Sequence, residues 1–154
     1  EKINTELDDY TLLIVGECYE NKAKYTDLIK NAGITDNVQC HYSFVPDNEV
    51  GKYFSASDVV VLPYKSASQS GIVQIAYHFD TPVIVSDVGG LPEIVDEGKT
   101  GYCVEPSSNA FAKAIKAFYK KDNINELNSN ISDYKSQFSW DGIVNAIEEL
   151  VNVH

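Results

Sequence analysis

The sequence has no methionine and only three cysteines among its 154 residues. Cys18, Cys40 and Cys103 are odd in number, far apart and without any CxxC or Cys/His grouping, so neither a disulfide framework nor a zinc site is indicated. Thiols of this kind fit a reducing, cytoplasmic setting. Because the initiating methionine is missing, we expect this chain to be a piece of a longer protein.

Positive charge is scarce, and long apolar runs are missing. There are 12 Lys and Arg against 23 Asp and Glu, a formal net charge of -11, and no basic stripe on which a phosphate backbone would lie. No stretch approaches the roughly 20 apolar residues that span a bilayer, and no basic-then-apolar leader opens the chain. We therefore expect no nucleic acid as a partner, and no membrane association except a peripheral one of the full-length protein.

The sequence also lacks the residue patterns of a metal site and of a catalytic triad. The sequence has no DxD motif, and His41, His78 and His154 have neither metal-ligand spacing nor an evident Ser or Cys partner. We expect these histidines to be structural or exposed, and we predict no metal site.

The apolar runs that are present are short and alternate with helical patterns. The predicted strands are 12–16, 38–41, 59–63, 82–87 and 101–105. The predicted helices are 21–32, 48–55, 71–79, a short one within 89–95, 109–121, 124–137 and 140–153. The run LLIVG of the first strand is typical of a strand covered on both faces. This order predicts a single α/β domain over residues 1–154, a Rossmann-like open parallel sheet with helices on both faces.

Open sheets of this kind bind ligands at the carboxyl ends of their strands. The first such end carries Gly16 and Glu17 in the sequence GECYE, whose single glycine does not match the GxGxxG pattern of an NAD-binding fold. Gly16 either contacts a ligand or lets the strand and helix pack closely.

The end of the third strand is richer in small and polar residues. The sequence YKSASQSG, residues 64–71, opens directly onto a helix. Backbone N–H groups of Ser70, Gly71 and Ile72 at a helix N-terminus favour a phosphate, and the side chains of Ser68, Gln69 and Ser70 would add donors. The alternative is an ordinary serine N-cap.

The end of the fourth strand reads SDVGGLPEIV. Gly89 and Gly90 permit a close approach that other residues forbid, which either a ligand or a tight turn would require. Glu93 lies near the start of the next helix, where it contacts a ligand or stabilises the helix dipole.

Four segments resemble the group 1, family 4-like glycosyltransferases. They are LLIVGE, FVPDNEVGKYFSASDVVVLPY, AYHFDTPVIVSDVGGLPEIVDEGKTGYCVEP and FSW, in the family's order and spacing. The resemblance implies the GT-B architecture of two Rossmann-like domains, and a retaining, metal-independent transfer of a hexosyl-type sugar from a nucleotide-sugar donor in glycan or polysaccharide synthesis. It implies no cofactor beyond this donor substrate. This chain resembles the C-terminal, donor-binding domain, and the N-terminal acceptor domain is absent from it.

The chain departs from the family pattern in two places. The family's Arg and Lys pair upstream of the LLIVGE-like strand is absent, and Lys65 is a candidate replacement cation. The family's two glutamates separated by seven residues correspond to Ala67 and Ile75. The catalytic residues are therefore unassigned.

Three functions stay open at this point. The chain is the donor half of an active transferase, or a catalytically inactive nucleotide-binding or protein-interaction module of the same fold. A nucleotide-sugar 2-epimerase would need acid and base side chains that have no clear candidates here. We predict that the chain alone transfers no sugar.

Overall fold

The computed structural model describes residues 7, 9–121, 124–136, 144, 147–148 and 151, and it divides into two compact units, residues 1–51 and 52–154. The strands are β1 (Leu12–Val15), β2 (Val38–His41), β3 (Val60–Leu62), β4 (Val83–Ser86) and β5 (Gly101–Val104). The α-helices are α1 (Lys22–Asn31), α2 (Asp47–Ser55), α3 (Gly71–His78), α4 (Leu91–Ile94), α5 (Ser108–Lys121) and α6 (Ile124–Ser136). All of these were predicted from the sequence, and the helix predicted for 140–153 lies mostly outside the described residues.

The first unit contains a parallel pair of strands, β1 and β2, aligned from Leu12 opposite Val38 to Val15 opposite His41. The prediction that β1 is covered on both faces is wrong. Leu12 and Val15 remain 42% and 37% exposed, and within the described chain β1 pairs with β2 alone. An apolar run predicts a strand, whereas its cover depends on which other elements pack against it.

Helix α1 begins and ends on local signals. Asn21 caps its start through the side chain, and Gly33 follows its end with φ of +67°. The Gly33 N–H donates to the Lys30 carbonyl at 2.9 Å and the Ile34 N–H to the Ile29 carbonyl at 3.3 Å. This pair of bonds is the Schellman arrangement, in which a glycine in the left-handed conformation ends the helix.

The second unit contains three parallel strands in the order β3-β4-β5. The central strand β4 is buried along its whole length. Side chains alternate along a strand, so its two faces contact different partners. Val83 and Val85 lie in one core cluster and Ile84 in another.

Helices supply both of those clusters. On the Val83 side, α3 contributes Val73, Ala76 and Tyr77. On the Ile84 side, α5 contributes Phe111 and Phe118. A parallel sheet with helices on both faces is therefore confirmed, whereas the function of the chain as one nucleotide-sugar-binding domain stays a prediction.

Proline lies at one end of two strands of the second unit. Pro63 directly follows β3. Pro82 directly precedes β4, so its missing N–H lies outside the strand. Its carbonyl accepts the Val60 N–H at 2.9 Å.

Within the described part of the chain, no helix combines the length and apolar character that crossing a membrane requires.

Candidate functional site

Two loops of the second unit meet at the carboxyl edge of its sheet. We call them the serine loop, Tyr64–Ser70 between β3 and α3, and the glycine loop, Asp87–Gly90 between β4 and α4. The Gly90 N–H donates to the Ser68 carbonyl at 3.1 Å. Because β3 and β4 are adjacent and parallel, their following loops lie side by side.

The contact between the loops explains both glycines of the glycine loop. Gly89 has φ of +57°, and a Cβ atom built there would lie 1.5 Å from the Ala67 carbonyl oxygen. A Cβ atom on Gly90 would lie 2.4 Å from the Ser68 carbonyl oxygen. The sequence left a ligand or a tight turn as explanations. Close packing against the backbone of the serine loop, which is neither, is sufficient for both residues, and their contact with a ligand stays a prediction.

The serine loop ends at Ser70, directly before α3. This residue occupies the N-cap position with extended backbone, yet its side chain makes no capping hydrogen bond. It is only 7% exposed, and its Oγ lies 3.4 Å from the Tyr64 hydroxyl oxygen. The first N–H groups of a helix have no acceptor within the helix, so the start of α3 keeps its donors uncapped by this serine.

Gly71, the first residue of α3, has no such packing reason for being glycine. Apart from its chain neighbours and the nearby backbone of its own helix, no atom of the described chain lies within 4 Å of a Cβ atom built there, and its φ is not in the left-handed region. A side chain at this position of the first turn of α3 would therefore meet open space.

The remaining polar side chains of the serine loop that the sequence singled out are exposed: Lys65, Ser68 and Gln69. Lys65 forms no ion pair within the described residues. Glu93 is also exposed, and its N–H donates to the Gly90 carbonyl at 3.3 Å. Among the described residues of this edge, the serine loop thus carries Lys65 without an ion pair, and exposed carboxylates lie on Asp87 of the glycine loop and Glu93 of α4.

The two positions that correspond to the family's glutamates have apolar surroundings. Ala67 packs against the core cluster that contains Val73 and Leu91, and Ile75 is half-buried on α3. Neither offers a hydrogen-bonding side chain to a ligand.

A buried hydrogen-bond network connects α3 to the segment from α4 to β5. The sequence did not predict it. The Tyr77 hydroxyl lies 2.7 Å from Thr100 Oγ1 and donates to the Ile94 carbonyl at 3.2 Å. Burial raises the pKa of Tyr77 well above its ordinary value. Because Tyr77 and Thr100 are 23 positions apart, no local pattern could have paired them.

Gly16 and Glu17 belong to the first compact unit. Gly16 has φ of +131°, and its N–H donates to the His41 carbonyl at 3.1 Å, so its conformation alone requires glycine. The exposed Glu17 carboxylate accepts the Tyr19 hydroxyl at 2.6 Å, and this hydrogen bond together with the carboxylate charge raises the pKa of Tyr19. Contact of Gly16 or Glu17 with a ligand stays a prediction.

Within the described ranges, no three His, Cys, Asp or Glu side chains are grouped as a metal ion would require. The His41 ring lies 3.0 Å from Ser43 Oγ, and the His78 ring packs edge-on against Phe79. Metal independence of the reaction stays a prediction.

Comparison with known proteins identifies the family. The sequence profile described as "Glycosyl transferases group 1" matches residues 1–138. The D-inositol 3-phosphate glycosyltransferase of Gordonia bronchialis is 33% identical over 129 residues, which cover 79% of this chain and 27% of that protein. The chain belongs to the group 1 glycosyltransferases, and it spans about a quarter of the length of the curated relatives it matches.

Solved structures show the same fold. HepE from Anabaena in complex with UDP superposes with a TM-score of 0.80 at 20% identity, over 99% of this chain and 43% of that one. The C-terminal domain of a group 1 glycosyl transferase from Francisella tularensis gives a TM-score of 0.77 at 22% identity, over 90% of this chain and 74% of that one. At these identities the likeness concerns the fold alone, and it confirms the fold expected of the C-terminal half of a GT-B glycosyltransferase.

Proposed function

We propose that this chain is the donor-binding half of a cytoplasmic glycosyltransferase that moves a hexosyl-type sugar from a nucleotide-sugar to an acceptor, in glycan or polysaccharide synthesis. Family membership supports the reaction class. The HepE structures with UDP and with UDP-glucose support a nucleotide-sugar as the donor, since they share this fold. Retention of configuration and independence from metal are part of the proposal.

The open first turn of α3 is the observation that carries the site. The glycines of the glycine loop are needed for loop packing, whereas Gly71 faces open space and needs no special backbone conformation. Glycine disfavours a helix relative to alanine by up to about 1 kcal/mol. Since packing does not require glycine at position 71, a different explanation is needed for it. Close approach of a ligand to the backbone supplies it, because any side chain would occupy the space in front of the helix.

A diphosphate is the ligand whose chemistry suits this place. The uncapped N–H groups at the start of α3 and the positive end of its dipole favour an anion. Lys65 adds one exposed cation from the same loop. These groups would bind the donor diphosphate and stabilise the charge that develops on it as the sugar departs.

The apolar residues Ala67 and Ile75 favour the second candidate function, a binding module that has lost catalysis. In the family that the sequence resembles, these positions carry glutamates. Here Ala67 packs against the core and Ile75 is half-buried. Contacts to the transferred sugar must then come from other residues. We propose the active donor half first, because the anion site does not depend on either position.

Replacing Gly71 with Val tests the site. The valine side chain would fill the space in front of α3, so we expect binding of uridine diphosphate to weaken at least tenfold, a change of about 1.4 kcal/mol. Isothermal calorimetry measures the affinity, and circular dichroism checks the fold. Ser66→Val, at an exposed position of the same loop, is the matched control and should bind as the parent does. Unchanged affinity of a folded Gly71→Val chain would show that the diphosphate lies elsewhere.

The same preparations serve a transfer assay with candidate nucleotide-sugars and acceptors. We expect no turnover by the chain alone, because transfer requires donor and acceptor to be held together between two domains. Turnover that persists through further purification would contradict this expectation.

A further inference from the structure

Helix α5 concentrates positive charge in a strongly acidic chain. It carries four of the 12 basic residues, Lys113, Lys116, Lys120 and Lys121, and none of the 23 acidic ones. The dipole of a helix favours cations only in its last turn, which accounts for Lys120 and Lys121. Lys113 and Lys116 lie before that turn, so the helix dipole does not explain them.

The core determines which way these lysines point. Phe111 and Phe118 of α5 are buried in the second core cluster. At 3.6 residues per turn, the side chains of Lys113, Lys116 and Lys120 fall together on the opposite side of the helix. Lys113 and Lys120 are exposed, and Lys116 is half-buried. We call these three residues the lysine face.

The lysine face runs towards the end of the sheet that lies opposite the candidate site. The Tyr119 hydroxyl donates to Asp58 Oδ2 at 3.3 Å, and Asp58 lies two residues before β3. Lys121 Nζ lies 5.1 Å from the centre of the Tyr102 ring, near the start of β5. The serine loop and the glycine loop follow the other ends of the strands. A partner on the lysine face therefore need not contact the candidate site.

We propose that the lysine face is a docking surface for an anionic membrane, against which the full-length protein lies peripherally. Because the apolar side of α5 is in the core, the contact is electrostatic and stays at the level of the lipid headgroups. The ring of Tyr119, which is 37% exposed, flanks the lysines, and an aromatic ring with a polar tip suits that layer.

The choice of lysine favours a membrane over a ligand with fixed geometry. The sequence contains no arginine, whose planar fork matches a phosphate or carboxylate in one orientation. Lysine is a point charge on a flexible stem. A fluid layer of anionic headgroups can gather around such charges, whereas a rigid anion would have to match their spacing.

The net charge of -11 does not prevent this contact. At physiological ionic strength, exposed charges more than about 8 Å apart are largely screened from one another. A membrane that faces α5 therefore senses chiefly the lysines, although Asp58 beside Tyr119 offsets part of their charge. Near an anionic leaflet each lysine strengthens binding about fivefold, the factor that corresponds to about 1 kcal/mol.

Sedimentation with lipid vesicles tests the proposal. We expect the chain to sediment with vesicles of equal parts phosphatidylglycerol and phosphatidylcholine, to be released by added salt, and to stay in solution with phosphatidylcholine alone. Replacing Lys113, Lys116 and Lys120 together with glutamine should weaken binding to the anionic vesicles by at least about tenfold. Circular dichroism checks that the variant is folded.

A matched control changes the net charge by the same amount. It replaces three exposed lysines outside α5 with glutamine, Lys24, Lys30 and Lys99. The control should bind the anionic vesicles within about twofold of the parent, because distant charges are screened.

Three results would overturn the proposal. The first is a parent chain that does not sediment with anionic vesicles. The second is an equal loss of binding in both variants, which would assign the effect to net charge. The third is binding of soluble polyglutamate as tight as that of the vesicles and lost in the same α5 variant, which would assign the lysine face to an acidic polymer. Both variants should bind uridine diphosphate as the parent does, so failure of the proposed function would leave this test intact.

Discussion

At the scale of single residues, glycine has different physical roles at different positions of the chain. Gly89 and Gly90 allow two loops to approach so closely that a methyl group would overlap a carbonyl oxygen. Gly33 ends a helix in the left-handed conformation. Gly71 meets neither need, and it is therefore the glycine that we connect with a ligand.

Asp80, two residues beyond the end of α3, has a strained backbone conformation, and its side chain forms an ion pair. Its φ is +55°, and Lys135 of α6 lies 2.7 Å from its Oδ1. The side chains of both residues are more than a third exposed, so the ion pair contributes about 1 kcal/mol or less. The left-handed conformation costs a residue with a Cβ atom about 1–2 kcal/mol.

Two substitutions at Asp80 separate these effects. Asp80→Gly and Asp80→Ala both remove the ion pair, but only glycine relieves the backbone. We expect the glycine variant to be more stable than the alanine variant by about 1 kcal/mol, less than the full strain because glycine gains freedom in the unfolded chain. Urea unfolding measures the difference, and Lys135→Ala is the control for loss of the Lys135 contacts, which are the ion pair and a hydrogen bond to the His78 carbonyl at 3.3 Å. Equal stability of the two Asp80 variants would show that the backbone is not strained there.

At the scale of elements, α5 and α6 complete the core of the second unit. Leu127 and Ile131 lie one turn apart on α6, and each is fully buried in a different core cluster. The Tyr134 ring of the same helix packs edge-on against Tyr77 of α3. Helix α6 thus contacts both halves of the core as well as the helix that carries the candidate site.

The start of α5 offers a matched pair of serines. Ser107 Oγ accepts the Ala110 N–H at 3.2 Å, whereas Ser108 is exposed at the first helical position. We expect Ser107→Ala to lower the free energy of unfolding by about 1 kcal/mol, because one helix N–H loses its acceptor. Ser108→Ala should change stability by less than about 0.5 kcal/mol, as is usual at the surface. Chemical unfolding of both variants tests the difference, and equal losses would show that Ser107 is not the cap.

At the scale of the whole molecule, negative charge dominates. The net charge of -11 repels a diphosphate at long range, and the sequence contains no arginine to form a bidentate contact with phosphate. Binding must then depend on backbone donors, the dipole of α3 and Lys65. We therefore expect a modest affinity.

The salt dependence of binding tests how the long-range repulsion compares with the attraction of Lys65. Ions screen the long-range repulsion over a Debye length of about 8 Å at physiological strength. They also weaken the attraction of Lys65, so the two effects partly cancel. We expect added salt to weaken uridine diphosphate binding only slightly, and to weaken it less still in Lys65→Ala. Calorimetry at two salt concentrations measures this, and a steep loss of affinity that Lys65→Ala does not reduce would reveal other cations in the site.

Local signals in the sequence predicted most of the secondary structure. Pro63 and Pro82 mark strand ends, Gly33 marks a helix end, and short apolar runs predict the strands, because each of these signals acts within a few residues. The alternation of strands and helices also predicted which loops follow the carboxyl ends of the strands, where we expect the ligand. It could not predict the pairing of Tyr64 with Ser70, since a serine before a helix ordinarily indicates a cap.

The sequence by itself determined the order of strands and helices, the parallel α/β class, the glycosyltransferase family and the loop in which an anion site would lie. Tertiary structure alone decided which of these residues face outward and which are enclosed. It turned Ser70 inward, assigned Gly89 and Gly90 to loop packing, left Gly71 open and exposed β1. The physical reason is that exposure and close approach depend on atoms far away in the chain, such as the Ala67 carbonyl 22 positions before Gly89, and a local pattern carries no record of them.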